Sequence, residues 1–279
     1  MDKYCFLNGE IIPLTEAKIG IEDIGLLRGY GVYDGLAVIK GKVFRFEDHW
    51  NRFISGAHAL SLNIPITPEK TKEVIEELAV KNGFDQRANV RLILTGGKTL
   101  NGIEYDFNKP TFYILVEKWE PLPEDYYKNG TKLITYRHAR EWPTHKTTNY
   151  IQAVSLQDLR KEQKAVEILY VYDGEILECA TSNIFLVKNG KLITPSDGIL
   201  GGITRKVILE LAKASGQYEI EERLVYEDEL KTADEIFITS SFKDVVPVVN
   251  IDDFEVGNGQ VGPITKDLMQ AFAKVTNMG

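Results

Sequence analysis

Cysteine is scarce in this chain of 279 residues: Cys5 and Cys179 are the only two. They are too few and too far apart for a disulfide scaffold or a Cys-rich zinc centre, and no metal site is expected. The opening residues carry no long apolar core of a secretion signal, and no later run approaches the roughly 20 apolar residues of a membrane span. Positive charge is also short, with 33 Lys and Arg against 41 Asp and Glu and a net charge of -8. The acids are scattered rather than gathered into a tail, so nucleic acid is not an expected partner. What is present is ordinary for a globular protein, 43% hydrophobic and 27% charged. The expectation is a cytoplasmic protein with no membrane contact, large enough for two lobes.

Turn signals divide the chain. Asn8-Gly9 and Lys40-Gly41-Lys42 mark hairpins across residues 6–13 and 31–46. Apolar spacing predicts a helix over residues 48–62 and a second after Thr67, which can cap it, with Pro68 in its first turn and Gly83 as its stop. Strands follow at 88–95 and 110–119. Glu120-Pro121-Leu122-Pro123 has the composition of a connection. Beyond it the pattern predicts a strand at 131–136, a helix over 149–163, strands broken at Asp173-Gly174 and Asn189-Gly190, a helix at 204–215, strands at 235–240 and 245–251, and a helix from Pro263. The expected organisation is a small N-terminal α/β domain over 1–119, a linker over 120–130 and a larger C-terminal domain over 131–279.

Lys146 stands in His145-Lys146-Thr147-Thr148-Asn149-Tyr150; a lone lysine is ordinarily a solvated charge. Glu178 follows in Glu178-Cys179-Ala180-Thr181-Ser182-Asn183-Ile184-Phe185. Leu200-Gly201-Gly202-Ile203-Thr204-Arg205 then opens a helix, where glycines and free N–H groups suit an anion. In this order the three segments resemble the class IV aminotransferases. The likeness extends to Gly31-Val32-Tyr33-Asp34-Gly35, to Arg45-Phe46-Glu47-Asp48-His49-Trp50-Asn51-Arg52, and to Phe237-Ile238-Thr239-Ser240-Ser241 with Val246-Pro247-Val248.

The resemblance implies a two-lobed α/β fold of the fold type IV kind, with a barrel-like sheet in the larger lobe, pyridoxal 5'-phosphate between the lobes and a homodimer completing the site. Lys146 is then the amine that forms a Schiff base with the cofactor and shuttles the proton. Glu178 keeps the pyridine nitrogen protonated. Leu200 packs on the ring and Tyr150 reaches its phenolic oxygen. Gly202, Ile203, Thr204, Ser240 and Ser241 take the phosphate, with Arg45 as a charged clamp.

Substrate preference is less directly written. D-amino-acid enzymes of this class trap the carboxylate with a tyrosine like Tyr33 and an Arg-x-His pair, where this chain has Gly97-Lys98-Thr99-Leu100. Branched-chain enzymes carry Tyr-x-Arg, where this chain has Asn89-Val90-Arg91. Arg28, in a segment that in this family reaches the neighbouring subunit's site, and Arg91 are expected to replace the missing pair. D-alanine and D-glutamate are the expected donors, with 2-oxoglutarate or pyruvate as acceptor. A branched-chain L-amino-acid aminotransferase is the alternative, and an aminodeoxychorismate lyase a more distant one.

Overall fold

The computed structural model describes residues 3–84 and 86–277, and these form two compact units. The first contains the residues up to Glu120 together with His145–Tyr150; the second contains Pro121–Thr144 and the chain from Ile151 onward.

In the first unit the elements are β1 Tyr4–Leu7, β2 Glu10–Pro13, α1 Ile24–Arg28, β3 Gly31–Ile39, β4 Lys42–Val43, α2 Phe46–Ala59, α3 Pro68–Lys81, β5 Arg87–Thr95 and β6 Thr111–Lys118. The strands make an antiparallel sheet in the order β2-β1-β6-β5-β3-β4. Period-2 alternation gives it one apolar face. Leu36, Val38, Val90, Leu92, Phe112 and Ile114 are buried there against Phe53, Ile75 and Leu78 of the two long helices. The opposite face carries Tyr33, Arg91, Tyr113 and Glu117, all short of full burial. As the spacing predicts, Thr67 caps α3, accepting from the Lys70 amide at 3.2 Å, and Gly83 leaves it at φ 71°. The helix expected from Asp48 begins two residues earlier, at Phe46, because Arg45 takes the left-handed conformation (φ 53°) and turns the chain into it.

β4 pairs with β3 only at Val38 and Ile39, so residues 31–33 of β3 have an open edge. Residues 146–148 fill it. The Tyr33 amide donates to the Lys146 carbonyl and the Thr148 amide to the Gly31 carbonyl, each at 2.9 Å, and the Thr148 hydroxyl donates to the Gly29 carbonyl at 2.7 Å. Gly31 fits between its two neighbours: a Cβ there would stand 2.7 Å from the Leu94 carbonyl oxygen of β5 and 3.3 Å from the Thr148 hydroxyl oxygen.

The second unit holds α4 Glu124–Asn129, β7 Thr131–Arg137, α5 Ile151–Ser155, α6 Gln157–Glu162, β8 Glu167–Tyr172, β9 Glu175–Cys179, β10 Asn183–Lys188, β11 Lys191–Pro195, α7 Ile203–Ser215, β12 Glu219–Arg223, α8 Glu227–Leu230, β13 Glu235–Ser240, β14 Asp244–Ile251, β15 Phe254–Glu255 and α9 Pro263–Asn277. Its nine-stranded curled sheet runs β12-β11-β10-β13-β14-β7-β8-β9, with β15 on β14. The β11/β12, β14/β7 and β7/β8 pairs are parallel. Leu169, Ile184, Leu186, Ile236, Ile238 and Val246 build its core. Asp173-Gly174 and Asn189-Gly190 turn two hairpins with positive φ at both residues, as their sequence predicts.

Two expectations need revision. The single helix over residues 149–163 is two short ones broken at Leu156. Ile151 and Val154 are exposed, so no continuous apolar stripe holds one helix together, and the Ser155 hydroxyl takes the Gln152 carbonyl at 3.0 Å. The stretch 120–130 is also not a bare connection: it contains α4, whose Tyr127 hydroxyl donates to the Lys243 carbonyl at 3.1 Å.

The short helix α1 is anchored by a buried acid. Asp23 caps the Gly25 amide at 2.7 Å and accepts the Thr95 hydroxyl at 2.8 Å, which ties Arg28 to the end of β5. Asp23→Ala removes the cap and leaves a buried hydroxyl without this acceptor. It is expected to lower the urea unfolding free energy by about 2 kcal/mol; an unchanged midpoint would contradict this anchoring.

Candidate functional site

In the first unit, the edge pairing of 146–148 sets the Lys146 side chain over β3. Its Nζ lies 4.6 Å from the centroid of the Tyr33 ring, a cation–π distance, and the Tyr150 ring meets Tyr33 edge-on at 5.5 Å between centroids. The structure thus brings Lys146, Tyr33 and Tyr150 together. Arg91 shares the face of the sheet that bears Tyr33: its register partners are Gly35 on β3 and Leu115 on β6, one step of alternation from the Tyr33, Ile93 and Tyr113 row. Its guanidinium is ion-paired with Glu117. Arg28 is exposed at the end of α1, donating to the Leu27 carbonyl at 2.9 Å and lying near Gly102.

The sequence reading singles out Arg45, but the better-buried cation on α2 is Arg52. Arg45 is one-third exposed and reaches Asp48 at 3.5 Å. Arg52 is about one-tenth exposed and grips the fully buried Asp34 with Nε and Nη2, each at 2.8 Å, a fork on a carboxylate. His49 Nδ1 lies 2.7 Å from the same carboxylate. Burial alone raises the Asp34 carboxyl, but Arg52 and His49 outweigh it and hold the group well below the usual carboxylate range. For His49, burial exceeds the attraction of Asp34, and the Arg52 and Lys146 cations oppose protonation further, so its pKa falls and the ring is neutral at pH 7. The signal for this network was present in the sequence: an acid inside an apolar strand, and a His and an Arg three apart on one helix face.

In the second unit Glu178 is buried at the end of β9. One carboxylate oxygen accepts from the Leu200 amide at 3.1 Å and from Asn183 Nδ2 at 3.3 Å; the other faces Arg140 Nε at 3.2 Å. Asn183 also donates to the Leu200 carbonyl at 2.8 Å, so the two sequence segments carrying Glu178 and Leu200 are locked to one another. Arg140 is a second residue outside the sequence reading; it bridges Glu178 and the Ala180 carbonyl. The helix α7 starts at Gly202 with no side-chain cap. A Cβ on Gly202 would fall 1.9 Å from Asn183 Oδ1, so glycine is required there. The first-turn amides of Ile203 and Thr204, left without a side-chain cap, are the donor set a phosphate needs, and a buried acid aimed by two N–H groups is what a protonated pyridine nitrogen needs. Thr204 is itself buried. Ser240 ends β13, its hydroxyl accepting the Lys243 amide at 3.3 Å, and Ser241 follows in the turn. Lys243 pairs with buried Glu167 and with Thr181, tying this turn to the one after Glu178.

Because the folded pKa of His49 lies below its unfolded value near 6.5, the unfolded chain binds the proton first, and this contribution to stability drops away as pH decreases through about 6.5. Asp34, also depressed, adds its loss only at more acidic pH. The thermal midpoint is therefore expected to fall between pH 7 and pH 5. His49→Asn, which keeps a donor for Asp34, should flatten that slope; an identical slope in the variant would remove His49 as its source.

Known proteins resemble this chain over most of its length. Residues 31–251 match the family described as amino-transferase class IV. A putative branched-chain-amino-acid aminotransferase of Methanocaldococcus jannaschii is 36% identical, over 97% of this chain and 95% of its own. A D-alanine aminotransferase of Staphylococcus haemolyticus is 31% identical, over 96% of each. The solved branched-chain amino acid aminotransferase of Escherichia coli superposes with a TM-score of 0.93 at 26% identity, covering 100% of this chain and 96% of that one. The enzymes of the class use pyridoxal phosphate. The chain is a class IV aminotransferase.

Proposed function

We propose that this enzyme is a cytoplasmic homodimer that binds pyridoxal phosphate and moves amino groups between D-amino acids, chiefly D-alanine and D-glutamate, and 2-oxoglutarate or pyruvate. The observation that carries the reading is the sheet face of the first unit, where the Lys146 amine lies on Tyr33 and Arg91 stands one step of alternation away. An amine and a guanidinium on one face suit a substrate that presents an α-hydrogen to the first and a carboxylate to the second.

When bound, the cofactor supplies a conjugated ring that accepts the electrons released at the substrate α-carbon. The chain's own residues do the rest. Lys146 would be the amine that holds the cofactor, and its free amine would move the proton at the substrate α-carbon. Glu178, oriented by the Leu200 amide and Asn183 and countered by Arg140, would hold the proton at the pyridine nitrogen. Leu200 would cover the ring, and Tyr150 would donate to its phenolic oxygen. Gly202, Ile203 and Thr204 with Ser240 and Ser241 would hold the phosphate. Arg52, forked onto buried Asp34, suits the charged clamp better than the more solvated Arg45, because its side chain is already fixed. Arg28, exposed on its anchored helix, is assigned to the site of the neighbouring subunit, where with Arg91 and Tyr33 it holds the substrate carboxylate.

A second reading, transamination of branched-chain L-amino acids, is favoured by the similarity to the M. jannaschii relative and by the superposition on the E. coli branched-chain enzyme. Absorbance spectra of the cofactor-loaded enzyme separate the two. Loss of the yellow band with D-glutamate and not with L-leucine is expected, and the reverse would replace the first reading by the second. Lys146→Ala should lack the yellow band altogether. Arg28→Ala and Arg91→Ala should each lower kcat/KM for D-glutamate by about 10- to 100-fold, the worth of a charged hydrogen bond; an unchanged value removes that arginine from the clamp.

A further inference from the structure

Arg91 is engaged from a neighbouring strand. Its guanidinium meets the carboxylate of Glu117, which sits on β6 one alternation step from Leu115, the register partner of Arg91. Both side chains are close to half exposed, 42% for Arg91 and 45% for Glu117. The pair is therefore unlike the buried Asp34 and Arg52 fork, where displacing the acid would strand a charge in the core. Solvent reaches both groups of the Arg91 pair, and such an exposed pair is weak. Gly35, opposite Arg91 on β3, contributes no side chain to that row. Arg91 can thus exchange one carboxylate for another at small cost.

We infer that Glu117 is a built-in competitor for the substrate: its carboxylate occupies Arg91 in the free enzyme and gives way when the carboxylate of the amino or oxo acid arrives. This rests on the proposed role of Arg91 as a carboxylate ligand. Glu117 is then a specificity-determining residue that acts through Arg91 and stands outside the chemistry. It sets how strongly any monocarboxylate or dicarboxylate must bind to take the guanidinium. A structural brace would act in the opposite direction, since its removal would loosen Arg91 and weaken substrate binding.

The test is Glu117→Gln in the cofactor-loaded enzyme, beside Arg91→Ala and the double variant. Two readouts are taken: KM and kcat for D-glutamate, and the Kd of glutarate, a dicarboxylate with no amine or oxo group, from its perturbation of the cofactor absorbance. Glu117→Gln is expected to lower both KM and the glutarate Kd by roughly two- to fivefold, the equivalent of the pair energy, with the change in KM and not in kcat. In the Arg91→Ala background the same substitution should move neither. If Arg91→Ala weakens glutarate but Glu117→Gln leaves its affinity unchanged or weaker, the competitor is overturned while the Arg91 clamp stands. If Arg91→Ala leaves glutarate affinity unchanged, the clamp itself fails and the inference falls with it.

Discussion

The arrangement depends on one backbone interaction, the pairing of residues 146–148 with the open edge of β3. Two amide hydrogen bonds and the Thr148 hydroxyl fix this segment on a strand whose other neighbour is the long strand β5. A lysine on a loop loses much of its side-chain and backbone entropy each time it must meet a partner; a lysine on a paired segment has already lost the backbone part. The same pairing puts its amine on the Tyr33 ring, and β3 carries Tyr33 on one face and Asp34 on the other. The shortness of β4 is what allows this pairing: had it run the length of β3, residues 146–148 would have had no edge to join.

The second unit solves a separate problem, how to give a buried carboxylate its partners. Glu178 accepts from an amide and a side-chain amide on one oxygen and faces a guanidinium with the other. Burial without those partners would leave its oxygens unsatisfied at a cost in stability. Asn183 joins this acid to Leu200 and excludes any side chain at Gly202, which leaves the start of α7 as bare backbone. One asparagine therefore links Glu178, Leu200 and the first turn of α7.

Much of this was legible in the sequence because its carriers are local. Asn-Gly and Asp-Gly turns, the Thr67 cap and the double glycine before α7 act within a few residues, and strand alternation places Arg91 on a definite face. What was not legible is non-local. Arg45 and Arg52 belong to one short segment, and only the packing of α2 against β3 decides which of them meets Asp34. Arg140 meets Glu178 from a distant part of the chain, and Glu117 meets Arg91 from another strand. The helix expected over residues 149–163 broke for a related reason: helical spacing signals a helix only if something covers its apolar side, and Ile151 and Val154 face outward in this chain.

The central claim is that Lys146, fixed on the β3 edge, is the residue that carries the cofactor. Borohydride reduction of the enzyme saturated with pyridoxal phosphate, followed by peptide mass spectrometry, tests it directly. A single phosphopyridoxyl addition is expected, on the peptide containing Lys146. A stoichiometric addition on another lysine, with the Lys146 peptide unmodified, would contradict it.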